Sequence, residues 1–301
     1  MDCGHLRRMP VNRLSAERVK TLLRTQVFGQ ELLALAQAGS TNDVAADLAA
    51  QGAPEGTVVL ADVQTAGRGR LGRRWVAPPS TCLLCSILFR PDLSPAQAQQ
   101  LTMLCALAAA DAVIEVGGPG VALKWPNDLV VESRVSNPKA QGPKPKPQRW
   151  RKLAGVLTET EVTGTAQARR PKPETQPWRL EYVIVGIGIN VNVSAADLPG
   201  LAPDATSILA ETGLTVDRAV LLAALLAGVE ARYARVQAGE SPRAEWAARL
   251  ATLGQPVQVL TATATLVGVA EAVDEDGALL LRTADGALQR LVAGDVTLNQ
   301  Q

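Results

Sequence analysis

The sequence has 301 residues, 47% of them hydrophobic, which is enough for about two domains with a sizeable core. Its 30 Lys and Arg residues balance 29 Asp and Glu residues, and this excludes the global positive field that drives nonspecific binding to nucleic acid. The longest nearly uninterrupted apolar run, residues 219–229, is about half the length needed to span a bilayer. With no apolar segment after Arg7 and Arg8 to suggest a signal peptide, we expect a cytoplasmic protein without a membrane partner.

The cysteines and the histidine limit the possible chemistry. His5 is the only histidine, so we expect neither a Ser-His-Asp triad nor a multi-histidine metal site. Cys82 and Cys85 form a lone C-x-x-C in an apolar stretch with strand character. We interpret them as buried strand cysteines rather than as zinc or redox ligands, and four cysteines fit a reducing compartment without a disulfide framework.

The first half of the chain is predicted to alternate helices and strands. Ser15 is a candidate N-cap for a helix over residues 15–36, within an N-terminal helical extension of residues 1–37. Ser94 and Gln97 form a capping box for a helix from Pro95 to about Val116. Between them the pattern predicts a helix in "GSTNDVAADLAAQG" (39–52), capped by Ser40, and strands in "TVVLADVQ" (57–64) and "TCLLCSILFR" (81–90).

The second half is predicted to continue a β-meander. "VALKWPNDLVV" (121–131) indicates two short strands around a turn. Polar insertions at 133–149, rich in Pro and Lys, and at 163–178 cannot pack a core, and we predict that the first is disordered. Further predicted elements are helices at about 204–212, 216–237 and 242–252. They are followed by four short strands in "PVQVL", "ATLVGVAEAV", "ALLLRT" and "LQRLVA". These patterns predict a larger α+β domain over residues 38–253 and a small β-barrel over residues 254–301.

The stretch "GRGRLGRRW" (67–75) places four arginines among three glycines. Its glycines match the G-x-G-x-x-G spacing of dinucleotide-binding loops, but that fingerprint needs a helix directly after the loop, whereas "RRWVAPPS" contains two prolines. The balanced charge and the 3% aromatic content disfavour nucleic-acid binding. The remaining functional interpretation is a loop whose arginines bind a small anionic ligand. Its arginines would repel one another without the ligand, so we expect the loop to become ordered around it. The alternative is a solvated turn without a functional role.

Four further motifs each allow two interpretations. "KWPND" (124–128) and "GSTND" (39–43) carry polar groups suited to ligand contacts, but such residues also stabilise turns and helix caps. "GIGIN" (186–190) places glycines at alternate strand positions, where the missing side chains leave room for a ligand. Lys152 begins an apolar strand, where its ammonium group either meets an anion or reaches solvent.

Taken in order, "STN", "GRGRLGRRW", "KWPNDL", "KLAGVLTE" and "VIVGIGINVN", followed by a small β-barrel, resemble the motifs of the biotin protein ligases over about residues 38–298. The resemblance implies an α+β fold: a mixed β-sheet flanked by helices, of the class II synthetase-like kind, with an SH3-like C-terminal barrel. It also implies that ATP, with Mg²⁺, activates biotin as biotinyl-5′-AMP. The biotinyl group then passes to a lysine of a biotin carboxyl carrier protein of acetyl-CoA carboxylase or another biotin-dependent carboxylase.

The same resemblance implies site residues, motif by motif. Arg70 and Lys152 are the expected catalytic residues. Expected biotin contacts are Ser40, Thr41, Asn42, Gln64, Gly67, Arg68, Gly69, Arg70, Lys152, Gly186 and Gly188. Expected ATP contacts are Arg70, Arg73, Trp75, Lys124, Asn127, Asp128, Lys152 and Asn190, with Mg²⁺ near Asp128. Arg74 is expected to be an accessory charge.

Three departures from the family pattern qualify these expectations. Leu71 replaces an arginine that many relatives carry in the loop, and Asn299 stands where some members have a basic residue near the nucleotide. The segment before the first motif is too short for a DNA-binding domain, so no DNA partner is expected; a homodimer is compatible with an exposed sheet edge. A lipoate ligase of related fold and a noncatalytic biotin- or nucleotide-binding regulator remain the alternatives.

Overall fold

The computed structural model describes residues 14–133, 149–163 and 179–298. In that part of the chain the helices are α1 (Ala16–Lys20), α2 (Thr41–Ala50), α3 (Gln99–Glu115), α4 (Ile208–Thr212), α5 (Arg218–Gln237) and α6 (Arg243–Ala248). The strands are β1 (Leu32–Ala38), β2 (Val58–Gln64), β3 (Cys82–Phe89), β4 (Ala122–Lys124), β5 (Asp128–Ser133), β6 (Arg149–Thr163), β7 (Arg179–Asn190), β8 (Pro256–Leu260), β9 (Thr265–Val273), β10 (Leu279–Arg282), β11 (Leu288–Leu291) and β12 (Asp295–Leu298).

The strands form two sheets. The larger is a seven-stranded mixed sheet in the order β1-β2-β3-β7-β6-β5-β4, in which β1 and β2 are parallel and the other neighbours are antiparallel. The smaller is a five-stranded antiparallel sheet in the order β11-β10-β9-β8-β12. These sheets confirm the predicted α+β class, with a mixed sheet flanked by helices and a separate SH3-like C-terminal sheet.

The main core lies on one face of the large sheet. Helix α3 is apolar almost all round its circumference because it packs on β6 and, on its other side, on α5. The predicted capping box of Ser94 and Gln97 is present, on a short 3₁₀ turn just before α3. Helix α2 covers part of the opposite face, where Ala45 and Ala49 pack against Val59 and other apolar residues of the sheet. Leu198 and Ala205 pack against Cys82 and Leu84 on another part of that face, and a space remains between these two coverings.

The predicted helix over 15–36 is wrong beyond Lys20. Helix α1 ends there, Gly29 turns the chain with a positive φ of 85°, and residues Leu32–Ala38 form β1. Leu and Ala favour a helix locally, but parallel pairing with β2 decides the structure of this segment. The expected boundary between an N-terminal extension and a catalytic domain at residue 38 therefore falls on a strand of the main sheet.

Several other expectations need shorter corrections. Helix α4 begins at Ile208 rather than near 204, α6 ends at Ala248 rather than near 252, and β12 is an additional strand. The residues at the edges of both polar insertions, Ser133, Arg149 and Thr163, belong to strands β5 and β6. The insertions themselves, 134–148 and 164–178, lie outside the described residues.

The buried cysteines agree with the sequence interpretation. Cys82 and Cys85 lie on β3 and are buried, and burial raises the pKa of the Cys85 thiol to about 12. His5 and Asn299 lie outside the described residues. Among the helices that the structure describes, none has the length and apolar character that a membrane crossing requires.

The C-terminal sheet meets the main domain at Trp125, the aromatic residue of the KWPND turn. Its side chain is 1% exposed, and its indole N–H donates to the carbonyl oxygen of Gly277 over 2.9 Å. Gly294 lies against the same ring, since a β-carbon at Gly294 would come within 3.6 Å of it. The small domain is thereby positioned next to the open face of the large sheet.

Candidate active site

A cavity of about 410 Å³ lies on the open face of the large sheet, beside α2. Its floor follows from the strand register. Gly188 on β7 is the pairing partner of Gly155 on β6, and Gly186 is the partner of Ser86 on β3. Because directly paired residues of antiparallel strands point to the same side of a sheet, these four small residues lie together on one face. Leu84 and Leu157, the other partners of Gly188 and Gly186, lie beside them.

The protein's own side chains occupy the space over these glycines. A β-carbon at Gly186 would lie 2.3 Å from Oδ1 of Asn42, and one at Gly188 would lie 2.7 Å from the indole ring of Trp75. The sequence predicted room for a ligand at these positions. In the structure the side chains of Asn42 and Trp75 fill this space, and these two side chains themselves line the cavity.

The end of the cavity next to α2 is polar. Gln64 Oε1 accepts hydrogen bonds from the backbone N–H of Thr41 over 2.7 Å and from its hydroxyl group over 3.1 Å. The hydroxyl group of Ser86 lies 2.7 Å from Thr41 Oγ1 and 2.6 Å from Asn42 Oδ1. Ser40 occupies the predicted N-cap position, although its side chain makes no capping hydrogen bond. The STN motif therefore holds a buried hydrogen-bonding group at the cavity wall.

The arginine loop closes over the cavity as a tight backbone structure. Gly69 N–H donates to the carbonyl oxygen of Arg73 over 2.7 Å, and Trp75 N–H donates to that of Gly67 over 2.9 Å. A β-carbon at Gly67 would lie 2.6 Å from the carbonyl oxygen of Trp75, so the loop requires glycine there. Leu71 at the tip has a positive φ of 54°, an uncommon conformation for a branched side chain.

Arg68 has two carboxylate partners. Its guanidinium group binds Glu159 of β6 through N–O contacts of 2.9 Å and Asp43 of α2 at 2.6 Å. Glu159 also accepts a hydrogen bond from the side-chain amide of Asn42 over 2.9 Å. The hydrogen bond to Asp43, ahead of the contact with Glu159, raises the pKa of Arg68. The expected self-repulsion of the loop is offset by these carboxylates.

Arg73 connects the loop to the C-terminal domain. It forms an ion pair with Asp295, the first residue of β12, and Asp295 and Gly294 both line the cavity. Arg74 donates to the backbone carbonyl oxygen of Thr65 over 3.0 Å. The C-terminal domain thus supplies part of the cavity wall and one of the loop's anionic partners.

Arg70 differs from its neighbours in the loop. Among the described residues its half-buried guanidinium group has neither an ion pair nor a hydrogen bond, and it lines the cavity. Burial lowers the pKa of Arg70, and the charges of Asp128 and Asp295 oppose this effect only in part. A partly desolvated cation without a direct counter-ion is suited to binding an anion.

Lys152 provides the second cation. Its Nζ lies 2.6 Å from Oδ1 of Asp128, and it stands 5.7 Å from the centroid of the Trp75 ring. Asp128 is the last residue of the KWPND turn and the register partner of Gly155, so strand pairing brings the two motifs together. Asn127 holds this turn on β6 by donating from its side-chain amide to the carbonyl oxygen of Val156 over 2.5 Å.

The indole N–H of Trp75 is buried and has no hydrogen-bond partner among the described residues. A buried donor without an acceptor costs free energy. The ring also covers Gly188 and lies near Gly155, so it occupies the middle of the floor. A ligand that offers an acceptor to the Trp75 indole N–H, or that displaces the ring, would therefore remove this free-energy cost.

Most of the predicted site residues meet at this cavity. Gly67 and Lys124 do not line it, and Asn190 lines it with its amide group already donating to Thr206. The predicted residues that do line it are Ser40, Thr41, Asn42, Gln64, Arg68, Gly69, Arg70, Arg73, Trp75, Asn127, Asp128, Lys152, Gly186, Gly188 and Asn190.

Sequence reasoning missed four residues of this region: Ser86, Gly155, Glu159 and Asp295. Two of them could have been found from the alternation of side chains along a strand. Gly155 and Glu159 lie on the same face of β6, the face that forms the cavity floor. Glu159 is the final residue of the KLAGVLTE motif, but the motif does not indicate that its carboxylate binds Arg68. Ser86 and Asp295 depend on pairing between distant segments, and no local pattern marks them.

A glycine-floored cavity lined by Lys152 and the arginines of the loop lies on a mixed sheet that is joined to a small antiparallel one. A model of the biotin/lipoate A/B protein ligase family matches residues 35–169, and a model of the biotin protein ligase C-terminal domain matches residues 252–298. The chain belongs to the biotin/lipoate A/B protein ligase family.

Individual relatives narrow this class. The chain is 36% identical over 256 residues to a biotin--[acetyl-CoA-carboxylase] ligase of Paracoccus denitrificans, covering 82% of this chain and 92% of that protein. It is 32% identical over 289 residues to the bifunctional ligase/repressor BirA of Bacillus subtilis, covering 95% of this chain and 79% of that protein. The biotin protein ligase from Aquifex aeolicus in complex with biotin and ATP has a TM-score of 0.66 at 25% identity, covering 90% of this chain and 100% of that one.

Proposed function

We propose that this chain is an ATP-dependent biotin protein ligase. The carboxylate of biotin attacks the α-phosphorus of ATP, and pyrophosphate leaves with the electrons of the broken P–O bond. An amine nitrogen of the carrier's lysine then attacks the acyl carbon of biotinyl-5′-AMP, and AMP leaves as the amide forms. The names and bound ligands of the relatives, biotin--[acetyl-CoA-carboxylase] ligase and biotin with ATP, support this assignment.

The observation that carries the proposal is the presence of Arg70 and Lys152 in one cavity, which Arg68, Arg73 and Arg74 also line. Arg70 has no counter-ion in direct contact among the described residues, and Lys152 has one carboxylate partner. The first step brings together two anions, a carboxylate and a phosphate, and fixed cations lower the barrier by neutralising both. Neither step needs a protein nucleophile or an imidazole group.

The remaining residues take roles that follow from their place in the cavity. In this proposal the polar end formed by Thr41, Asn42 and Gln64 receives the ureido group of biotin. The glycines at 186 and 188 and the cations then flank its tail and the acyl phosphate. Residues assigned to the nucleotide are Arg73, Trp75, Asn127, Asp128 and Asn190, with Ser40, Arg68 and Gly69 on the biotin side. Gly67 serves the fold of the loop, and Lys124 acts only if the nucleotide extends beyond the cavity.

Mg²⁺ enters the proposal as part of its substrate complex with ATP. Within the described residues no cluster of three His, Cys, Asp or Glu side chains is placed to hold a metal ion, and Asp128 is already paired with Lys152. Mg²⁺ keeps several water ligands and binds substrate phosphates readily, so it does not require a protein cage. Asp128 would then act on the ion only through those waters.

The proposed protein partner is a biotin carboxyl carrier protein of a biotin-dependent carboxylase. The names of two relatives, both biotin--[acetyl-CoA-carboxylase] ligases, support this partner. A homodimer that pairs at the sheet edge is compatible with this proposal, which includes no DNA partner. Both points are expectations from the sequence.

One assay separates this function from its alternatives. The purified chain is incubated with ATP, Mg²⁺ and a biotin carboxyl carrier domain, together with biotin or lipoate, and the carrier's mass is measured. We expect a mass increase of one biotinyl group with biotin alone. Labelling by lipoate alone would identify a lipoate ligase, and biotin binding without pyrophosphate release would identify a noncatalytic regulator.

A further inference from the structure

Ser86 lies directly behind the polar end of the cavity and is fully buried. Its pairing with Gly186 places it on the cavity side of β3, although Ser86 itself does not line the cavity. Its hydroxyl oxygen lies 2.6 Å from Asn42 Oδ1 and 2.7 Å from Thr41 Oγ1, and both of these residues do line the cavity. Ser86 can therefore act on a ligand only through these two neighbours.

One hydroxyl proton cannot serve both contacts of Ser86, and Glu159 decides which contact receives it. The carboxylate of Glu159 only accepts hydrogen bonds, so Asn42 turns its side-chain NH₂ group to it, over 2.9 Å. The amide oxygen of Asn42 then faces Ser86, and this oxygen also only accepts. The proton of Ser86 is therefore committed to Asn42.

The commitment of Ser86 determines the position of the Thr41 hydroxyl proton in turn. Two acceptors lie within its reach, Ser86 Oγ at 2.7 Å and Gln64 Oε1 at 3.1 Å. Gln64 Oε1 already accepts the backbone N–H of Thr41 over 2.7 Å, whereas the short contact with Ser86 has no other proton to fill it. The Thr41 proton is thus held by Ser86, and Thr41 Oγ1 keeps only acceptor capacity towards the cavity.

As a result, two acceptors face the cavity at its polar end. Thr41 Oγ1 and Gln64 Oε1 lie 3.1 Å apart, and in this arrangement no proton lies between them. Two acceptors at this distance repel each other, and a ligand N–H group that donates to them removes the repulsion. A ligand oxygen in the same place would add a third acceptor and strengthen the repulsion.

We propose that Ser86 is a positioning residue that determines which ligands the polar end accepts. By holding the proton of Thr41, it makes this end selective for a ligand that donates N–H groups. The inference rests on the proposed function and deepens it, because the ureido group of biotin carries two N–H groups and the dithiolane ring of lipoate carries none. Glu159 belongs to the same hydrogen-bond network, since it fixes the orientation of Asn42 on which the commitment of Ser86 depends.

The first experiment compares biotin with its two cyclic carbamate analogues, in each of which oxygen replaces one ureido N–H group. Each compound is titrated calorimetrically into the purified chain, without ATP, and into two variants whose folding is checked by thermal denaturation. The test variant is Ser86→Ala. The matched control is Ser207→Ala, which removes another fully buried hydroxyl group; Ser207 donates to the carbonyl oxygen of Val193 over 2.6 Å and does not line the cavity.

In the unmodified chain we expect biotin to bind about tenfold or more tightly than the weaker carbamate, the usual effect of a mispaired buried polar group. Ser86→Ala frees the Thr41 proton to donate to a ring oxygen, so this preference should fall by about fivefold or more, whereas Ser207→Ala should leave it unchanged. The same preference in Ser86→Ala as in the unmodified chain, or no preference in either, would overturn the inference. An unmodified chain that binds no biotin and forms no adenylate with ATP would instead refute the proposed function.

The second experiment tests the same network from its other end. Glu159→Gln introduces an amide that can donate as well as accept, so Asn42 is no longer held in one orientation. Asp43→Asn is the matched control, because it also removes a carboxylate partner of Arg68 but leaves the hydrogen bond between Glu159 and Asn42 in place. We expect the preference for biotin over the carbamate to fall by about fivefold in Glu159→Gln and to change by less than about twofold in Asp43→Asn. Equal preferences in the two variants would overturn the link from Glu159 to Ser86.

Discussion

Replacing Lys152 by alanine tests the electrostatic basis of the proposed function. Its side chain is 29% exposed, and its ammonium nitrogen lies 2.6 Å from Asp128, a distance at which two unit charges interact by roughly 6 kcal/mol at an effective dielectric constant of about 20. A substrate anion at a similar distance gains a comparable gross energy, but it must share the ammonium group with Asp128. Only the part that is larger in the transition state than in the ground state accelerates the reaction.

Removal of one such fixed donor typically lowers a rate by about 10²–10³, or about 2.7–4 kcal/mol, and we expect Lys152→Ala to lose adenylate formation by at least this factor. Biotin binding, which involves the carboxylate but not the transition state, should weaken by less than about tenfold. Single-turnover pyrophosphate release measures the first quantity and calorimetric titration with biotin the second.

The matched control is Arg151→Ala. Arg151 is the neighbouring cation on β6, but it pairs with Glu211 at 3.2 Å and does not line the cavity. This variant should retain adenylate formation once its folding has been checked by thermal denaturation. Small and equal losses of biotin affinity and of adenylation rate in Lys152→Ala would refute the role assigned to Lys152.

Three further predictions concern the loop, the floor and the core. Arg73→Asp should lower kcat/KM for ATP by about fivefold, and adding Asp295→Arg should restore only the part that is due to the ion pair, a modest coupling because the Arg73 side chain is 59% exposed. No recovery at all in the double variant would mean that the ion pair does not hold the loop. Gly188→Ala places a β-carbon 2.7 Å from the Trp75 ring, so the KM for ATP should rise by about tenfold; an unchanged KM would contradict a nucleotide role for that ring. Burial alone would raise the pKa of Glu230, but hydrogen bonds from three backbone N–H groups lower it overall. The carboxylate therefore stabilises the fold fully above the carboxyl pKa of the unfolded chain, about 4.3. This stabilisation is lost as the pH falls through the lower pKa of the folded state. Glu230→Gln should therefore lower the urea midpoint at pH 7 and converge with the parent only as the pH falls below the unfolded carboxyl pKa. A difference that stays constant below that pH would exclude this linkage.

Elements with strong local signals could be predicted from the sequence. The capping box before α3 and the continuous apolar run of β3 each specify an element from a few neighbouring residues. Strand β1 could not be predicted in this way, because its Leu and Ala residues suit a helix equally well. Its conformation depends on hydrogen bonds to β2, more than twenty residues further along the chain.

The candidate site divides along the same line. The charged residues and glycines of the cavity are concentrated in short motifs, so most of the cavity lining could be predicted. Their contacts could not: Arg68 and Glu159 are 91 positions apart, and nothing in either motif indicates that they pair. The glycines of β7 were expected to make space, but only the folded chain places Trp75 and Asn42 in that space.

The register of β6 has a practical consequence. Ser133 of β5 pairs with Arg149 of β6, and Thr163 of β6 pairs with Arg179 of β7, so each connection leaves and rejoins the sheet at adjacent positions. Asp128 and Lys152 are aligned by this pairing rather than by the peptide that joins their strands. A chain cut between residues 134 and 148 should yield two fragments that regain the Asp128–Lys152 contact on reassociation, and such a pair could serve as a split reporter of proximity.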